Sequence, residues 1–472
     1  MKPLAALVLP AIRWDERRGF APALPAAEAA LSLGVGGFIV FGGERGAVRR
    51  LTHDLAAAAP HPLLLASDLE RGAGQQVSGL TALPPAQAVA AVGLDAVAEA
   101  AAMTAREARD VGINWALAPV VDLDVEPRNP IVQTRAFGAD PAAVAAAAAR
   151  WVAACQEGGV LACAKHFPGH GRTTADSHAE LPVVPAARAD LEADLAPYRS
   201  AIAAGAWSVM TAHVAYPALD PSRVAATFSR PILGGVLRDG LGFDGLVVTD
   251  ALIMEGALTG GGEAAGAVRA LEAGCDLLLY PRDVEGLVAA LERAAGRDLP
   301  RDVVDEALAR RVVALGHAGA PRALGDAALA GDRERAAGLA AAAVRWVREP
   351  LPGPPQAVDL VIVDDDAGGP YPVPPRSGVA DALAARGVRV APGGERVVLV
   401  FCDVKSWKGR ASLSPGSRGA LAAALARPAT TLLFGHPRLA TDVPGTGPLL
   451  CAWSGDTLMQ HAAAEALLDL PR

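Results

Sequence analysis

Cysteine is scarce in this chain: there are five in 472 residues, at positions 155, 163, 275, 402 and 451, and none belongs to a Cys-x-x-Cys pair. That excludes a disulfide scaffold and argues against a thiolate zinc site. Long apolar runs are missing too. No window offers the roughly 18 consecutive apolar residues that a membrane helix needs. The opening MKPLAALVLPAIRWDERRGF has a short apolar stretch, broken at Pro10 and followed at once by charge, which is not the shape of a secretory leader. Positive charge is not in excess either. The net charge is −8, so neither nucleic acid nor an anionic membrane surface is expected as a partner. No repeat of solenoid period is present. These absences point to a cytoplasmic protein.

The chain is 52% hydrophobic and 20% charged, a globular composition, and its length exceeds one ordinary core, so two domains are expected. Short apolar runs alternate with helical patterns over the first 300 residues. The runs are Leu4–Leu9, Gly37–Phe41, Leu63–Ser67, Trp115–Pro119, Leu161–Ala164, Trp207–Thr211, Leu246–Thr249 and Asp276–Tyr280. Continuous apolar strands are buried on both faces, as in a parallel sheet. Eight strand–helix alternations predict a (β/α)8 barrel, with a doubly wound sheet as the alternative. A barrel demands reactive groups just after its strands. Asp68, Asp122, Lys165 with His166, His213 and Asp250 occupy such places.

A long helical stretch is predicted from Asp302 to Val347. Four prolines in the seven residues 349–355 then break the pattern. Strands are predicted at Val358–Val363, Val397–Cys402, Thr430–Phe434 and Leu449–Trp453, with helices near Val379–Arg386, Ser417–Ala426 and Leu458–Leu468. The expected organisation is a catalytic barrel over 1–340 with a helical extension, a proline-rich linker over 341–356, and a smaller α/β sandwich domain over 357–472.

The densest chemistry lies in Lys165-His-Phe-Pro-Gly-His-Gly-Arg-Thr-Thr-Ala-Asp-Ser-His178, a loop that starts at a strand end. Asp176 stands two residues before His178, a spacing that lets the carboxylate hold one ring nitrogen and aim the other as a general acid/base. Asp250 ends an apolar strand, where it suits a nucleophile or a base, or else a cap on the following helix. Asp68, Arg135, Lys165 and His166 form a charged set able to grip sugar hydroxyls, although Arg135 also fits a structural ion pair.

Together these segments resemble glycoside hydrolase family 3, in its bacterial β-N-acetylglucosaminidase branch. The carriers are Lys165–Gly171 with Asp176-Ser-His178, Thr249-Asp250-x-Leu-x-Met254, Asn129-Pro with Arg135-x-Phe-Gly138, and Met210-Thr-Ala-His213. The resemblance runs in order along residues 1–340. It implies a (β/α)8 barrel, Asp250 as the nucleophile of a retaining mechanism, His178 as acid/base with Asp176 as its dyad partner, and Asp68, Arg135, Lys165 and His166 as the grip on the terminal sugar. No metal or organic cofactor is implied; the partner is a carbohydrate, N-acetylglucosaminides from muropeptides or chitin-type fragments.

Two departures stand out. The family's D-x-E-G-G-R-V pattern reads Asp68-Leu-Glu-Arg-Gly-Ala-Gly-Gln-Gln-Val77, so its arginine is absent, with Gln75 or Gln76 as candidate replacements; and Ala251 stands where a second aspartate is common. Four rivals remain. A β-glucosidase of the same family usually draws its acid/base from the second domain. A β-N-acetylglucosaminide phosphorylase is compatible because a neutral imidazole repels phosphate less than a carboxylate does. An inactive sugar-binding protein and a metallohydrolase built on His166, His170 and His178 complete the set.

Overall fold

The computed structural model describes residues 3–177, 179–258, 261–350, 353–369 and 373–469. Nine short strands build the first domain: β1 (Val8–Leu9), β2 (Ala11–Arg13), β3 (Gly37–Phe41), β4 (Leu64–Ser67), β5 (Trp115–Ala116), β6 (Leu161–Phe167), β7 (Ser208–Thr211), β8 (Leu246–Val248) and β9 (Leu278–Leu279). β2 to β8 form one parallel sheet in chain order. The sheet curls until its ends meet: β1 pairs parallel with β9, and an isolated bridge joins Val248 to Leu277.

Pro10 makes this closure. It lacks an amide hydrogen, so it splits the first strand in two, while its carbonyl accepts from Ile39 N at 2.9 Å. The half before it serves β9 and the half after it serves β3. The ring is an eight-stranded (β/α)8 barrel in which β1 and β2 share one strand position. The run Leu4–Leu9 is therefore strand only at its end; Pro3–Leu7 forms a 3₁₀ turn. Strand contacts are tight. A Cβ on Gly37 would sit 1.9 Å from Leu64 O, so only glycine fits there. Helices flank the ring, among them Pro141–Glu157, which starts on a proline and is capped by Asp140 accepting from Ala143 N at 2.8 Å.

The long helical stretch predicted from Asp302 to Val347 consists of two helices, Arg301–His317 and Asp326–Ala343, and its end is β10 (Arg345–Arg348). Gly319-Ala-Pro321 lies between them. The freed backbone binds the barrel's helices: Gly319 N donates to Gly159 O at 2.7 Å and Arg322 N to Arg109 O at 3.0 Å.

β11 (Ala357–Asp364), β12 (Arg389–Val390), β13 (Glu395–Cys402), β14 (Thr430–Gly435) and β15 (Leu449–Cys451) join β10 in a second sheet, ordered β10-β15-β14-β13-β11-β12. All pairs are parallel except β10 with β15. The helices Gly378–Ala385, Pro415–Ala424 and Thr457–Leu468 cover this sheet, with a separate apolar cluster on each face. Two polar clasps hold the second domain to loops of the barrel. His436 Nε2 meets Asp124 Oδ2 at 2.8 Å, and Arg438 pairs with the same carboxylate. Arg71 pairs with Asp456 and reaches Ser454 Oγ at 3.3 Å. All five cysteines are buried and unpaired. Among the described residues, no helix is long and apolar enough to cross a membrane.

Candidate active site

The carboxyl ends of the barrel strands open onto a cavity of about 130 Å³ lined by Asp68, Arg135, Lys165, His166 and Asp250, together with Phe41, His170, Ser177, Met210 and Tyr280. Five of the seven sequence-predicted site residues thus share one cavity. Asp176 is buried one residue from the lining Ser177; His178 lies outside the described residues.

A buried charge network forms the wall. Lys165, at the end of β6, places Nζ 2.8 Å from Asp68 Oδ1 and 2.8 Å from Glu70 Oε1. Arg135 grips Glu70 with two prongs, Nε to Oε2 at 2.9 Å and Nη2 to Oε1 at 2.8 Å, and donates Nη1 to Ile131 O at 3.0 Å. Arg135 is therefore both an ion-pair partner and part of the cavity lining. Burial pushes the Glu70 carboxyl up, but the charges of Arg135 and Lys165 outweigh it and hold the carboxyl well below the usual range. For Lys165, burial lowers the ammonium while Asp68 and Glu70 raise it, and the net shift is upward, so it stays charged at neutral pH.

Asp122, after β5, orients the next layer. Its Oδ2 lies 2.8 Å from His166 Nδ1, and its Oδ1 accepts from His170 N at 2.6 Å. Burial raises this carboxyl, and the two histidines more than reverse that. His170 spends both ring nitrogens inside the loop, on Thr173 Oγ1 at 2.8 Å and Ser177 Oγ at 3.0 Å. Burial lowers its pKa to about 4, against the pull of Asp122, so its imidazole is neutral near pH 7. His170 thus orders the loop rather than offering a free ligand nitrogen. Asn129 stitches this loop to the next: its Nδ2 donates to His170 O at 2.9 Å and Thr173 O at 3.0 Å, and its Oδ1 accepts from Ile131 N and Val132 N.

Asp250 ends the β8 segment and is half-buried in the cavity; its Oδ1 accepts from Ala251 N at 2.7 Å. The following helix starts only at Glu255, too far on for Asp250 to cap it. The loop carrying Asp176 and Ser177 packs over that helix. Ser177 O accepts from Gly256 N at 3.1 Å, and a Cβ on Gly256 would come within 3.0 Å of the same oxygen and 3.1 Å of His213. Glycine at 256 allows the loop to approach Asp250. His213 lies beneath, bonded to Thr227 Oγ1 at 2.8 Å and Ala251 O at 3.2 Å, outside the cavity lining.

Sequence reasoning missed Glu70, which sits two positions after Asp68 and so shares its face in extended chain, and the aromatic pair Phe41–Tyr280, whose rings lie 5.6 Å apart at the cavity edge. It also overrated the glutamines. Gln75 Oε1 accepts from Arg71 N at 2.7 Å and Gln76 Oε1 from Gly42 N at 3.2 Å. Both satisfy loop backbone, and neither lines the cavity.

The closed (β/α)8 barrel carries an acidic and basic cluster at its carboxyl rim, where enzymes of this fold place their active sites, and a second α/β layer follows it. A glycoside hydrolase family 3 β-N-acetylglucosaminidase from Paenibacillus sp. str. FPU-7 superposes with a TM-score of 0.86 at 27% identity, covering 99% of this chain and 96% of that one. Residues 18–315 match the model of the glycosyl hydrolase family 3 N-terminal domain, and the chain belongs to that family. A β-N-acetylglucosaminidase/β-glucosidase of Cellulomonas fimi is 36% identical over 373 residues, 72% of this chain and 66% of that protein, so the match spans just under two thirds of that relative. A β-hexosaminidase of Thiobacillus denitrificans is 37% identical over 273 residues, 55% of this chain and 75% of that protein.

Proposed function

We propose that the chain is a retaining β-N-acetylhexosaminidase that removes terminal β-linked N-acetylglucosamine from muropeptides or chitin-type fragments in the cytoplasm. One observation carries the reading: Asp250, at the carboxyl end of the seventh barrel strand position, shares a cavity with Asp68, Arg135, Lys165 and His166, and the Asp176–Ser177 loop is tied to the helix that follows Asp250. The names of the relatives supply the sugar.

In this mechanism Asp250 attacks the anomeric carbon, and the glycosidic oxygen leaves with a proton from the His178 imidazolium, which becomes a neutral imidazole. His178 then takes a proton from water, which attacks the same carbon and releases Asp250. Asp176 holds the imidazole in its tautomer. The role of His178 rests on its position directly after Ser177. Asp68, Lys165 and Arg135 present fixed charges to the sugar hydroxyls, a binding set that costs no reorganisation on substrate arrival. The cavity is well below the roughly 300 Å³ at which drug-sized pockets begin, which suits one terminal ring rather than a stretch of polymer.

The test is release of p-nitrophenol from the β-N-acetylglucosaminide and the β-glucoside, with and without phosphate. Turnover of the first alone supports the reading, and a phosphate-dependent rise converts it to phosphorolysis. Turnover of the glucoside alone overturns the sugar assignment.

A further inference from the structure

We propose that Arg71 is a positioning residue through which the second domain sets the grip on the sugar. Asp456 and Ser454 of the second domain hold its side chain, and its backbone fixes the neighbouring Glu70, the carboxylate that anchors Lys165 and Arg135. This rests on the glycosidase reading and gives the second domain, no described residue of which lines the cavity, a part in binding.

Arg71 is a junction. Its backbone belongs to the barrel: its N donates to Gln75 Oε1 at 2.7 Å, and its O accepts from Leu83 N at 2.9 Å. Its side chain belongs to the second domain: Nη2 pairs with Asp456 Oδ2 and donates to Ser454 Oγ at 3.3 Å. Asp456 is itself fixed, because it caps the helix Thr457–Leu468, accepting from Met459 N at 3.1 Å, and also accepts from the Ser454 hydroxyl. The two side chains of the pair are 28% and 21% exposed, which shields it from the screening that weakens surface ion pairs. One peptide bond before Arg71, Glu70 Oε1 lies 2.8 Å from Lys165 Nζ and 2.8 Å from Arg135 Nη2, and both of these cations line the cavity.

The chain that follows Arg71 is packed too closely to give way. A Cβ on Gly72 would come within 2.7 Å of Thr81 O, and one on Gly74 within 2.3 Å of Ala82 N. Glu70 is therefore set from two sides, by the cavity cations and by the tethered Arg71. In the D-x-E-G-G-R-V pattern the residue after the glutamate is glycine, which reaches nothing; here Arg71 ties the segment carrying Asp68 and Glu70 across the domain boundary. The other clasp has no such link. Among the described residues, the Asp124 carboxylate bonds to Gln87, His436 and Arg438, none of which lines the cavity. When Glu70 shifts, Lys165 and Arg135 shift with it, because a buried charge stranded from its partner is costly. Misplacing a binding group by about 1 Å costs up to about 10²-fold.

The experiment measures KM and kcat on the p-nitrophenyl glycoside that the wild type cleaves. Arg71→Met and Asp456→Asn should each raise KM by about tenfold and leave kcat within about twofold, because the grip holds ground state and transition state alike. Arg71→Lys should recover part of the loss, and Arg71→Met combined with Asp456→Asn should be no worse than Arg71→Met alone. His436→Ala, which loosens the domains at the other clasp, should leave KM within about twofold. An unchanged KM in Arg71→Met, additive losses in the double variant, or an equal rise in His436→Ala overturns the proposal. Calorimetric titration with free N-acetylglucosamine and with glucose reads the same loss without turnover, and wild-type affinities in Arg71→Met also overturn it. The substrate separates this test from the reading beneath it: turnover of the β-glucoside alone sinks the sugar assignment, whereas a KM rise on that glucoside still sustains Arg71.

Discussion

Two charge networks sit at the carboxyl ends of two parallel sheets in this molecule, and only one of them lines the Asp250 cavity. In the barrel, Asp68, Arg135, Lys165 and His166 line the space around Asp250, and Glu70 and Asp122 pair with them from behind. In the second domain, Asp364, Asp365 and Asp366 end β11 against Arg376, Lys408 and Arg410. The order β15-β14-β13-β11-β12 places this second network where the winding reverses, the usual ligand crevice of an open α/β sheet. Here the crevice is filled with side chains. Asp366 is held by Arg376 at 2.8 Å and by Lys408, and Asp365 by Arg410 at 2.7 Å and Ser417 Oγ at 2.6 Å. Nearby Asp403 is pushed up to about 6, by burial first and then by the charge of Asp366. Perturbed acids and dense charge are thus common to both places; the open volume beside Asp250 is what distinguishes the barrel site.

The sharpest way to break this contrast is Asp250→Ala. Turnover should fall by about 10⁴-fold or more with the melting temperature nearly unchanged; normal rates would remove Asp250 from the chemistry. The next comparison sets Lys165→Met against Lys408→Met. Each strands buried carboxylates, and each should cost about 3–5 kcal/mol in chemical denaturation. Lys165→Met should also depress kcat/KM in the folded fraction, whereas Lys408→Met should not. Equal kinetic damage from both would erase the distinction between site and scaffold.

His170 sharpens the contrast by pH. Folding lowers its pKa from 6.5 to about 4, so between those values the unfolded chain binds more protons. The stability contributed by neutral His170 is complete above pH 6.5 and fades as pH drops toward 4. His170→Asn should remove up to about 3 kcal/mol of that slope, read as denaturation midpoints across the range. An unaltered slope would show that His170 is protonated in the fold. The smallest effect is expected from His436→Ala at the domain clasp, about 1–2 kcal/mol. It should appear as earlier melting of the second domain while the barrel transition stays in place; a single transition shifted as one would show that the two domains melt together.

Much of the barrel was legible because parallel strands buried on both faces read as continuous apolar runs. Gly37–Phe41 matches to the residue. The failures have physical causes. Leu4–Leu9, flanked by Pro3 and Pro10, carries the same apolar signal whether it coils or extends. The helical composition of 302–347 hides a break made by Gly319 and Pro321. β10 alternates exposed with half-buried residues, an edge strand whose exposed Arg345 and Val347 carry no continuous apolar signal. At the site, Asp68 and Asp250 were visible because each follows an apolar strand, and Lys165 and His166 because they close the apolar run of β6. Glu70 was hidden in a loop, and the Phe41–Tyr280 pair was hidden because its members end strands far apart in the chain.

That last separation follows from the split at Pro10. Arg13 meets Tyr280 across 267 positions, and it does so only because β1 pairs with β9 in the register Leu9 to Leu279. The corner formed by Arg13, Phe41 and Tyr280 is therefore the seam of the ring. A nascent chain that has built its first seven strand positions already carries Asp68, Lys165 and Asp250 but no such corner. That part of the cavity wall arrives with the last stitch, so a slip at the seam would disturb Phe41 and Tyr280 before it disturbed the charged residues.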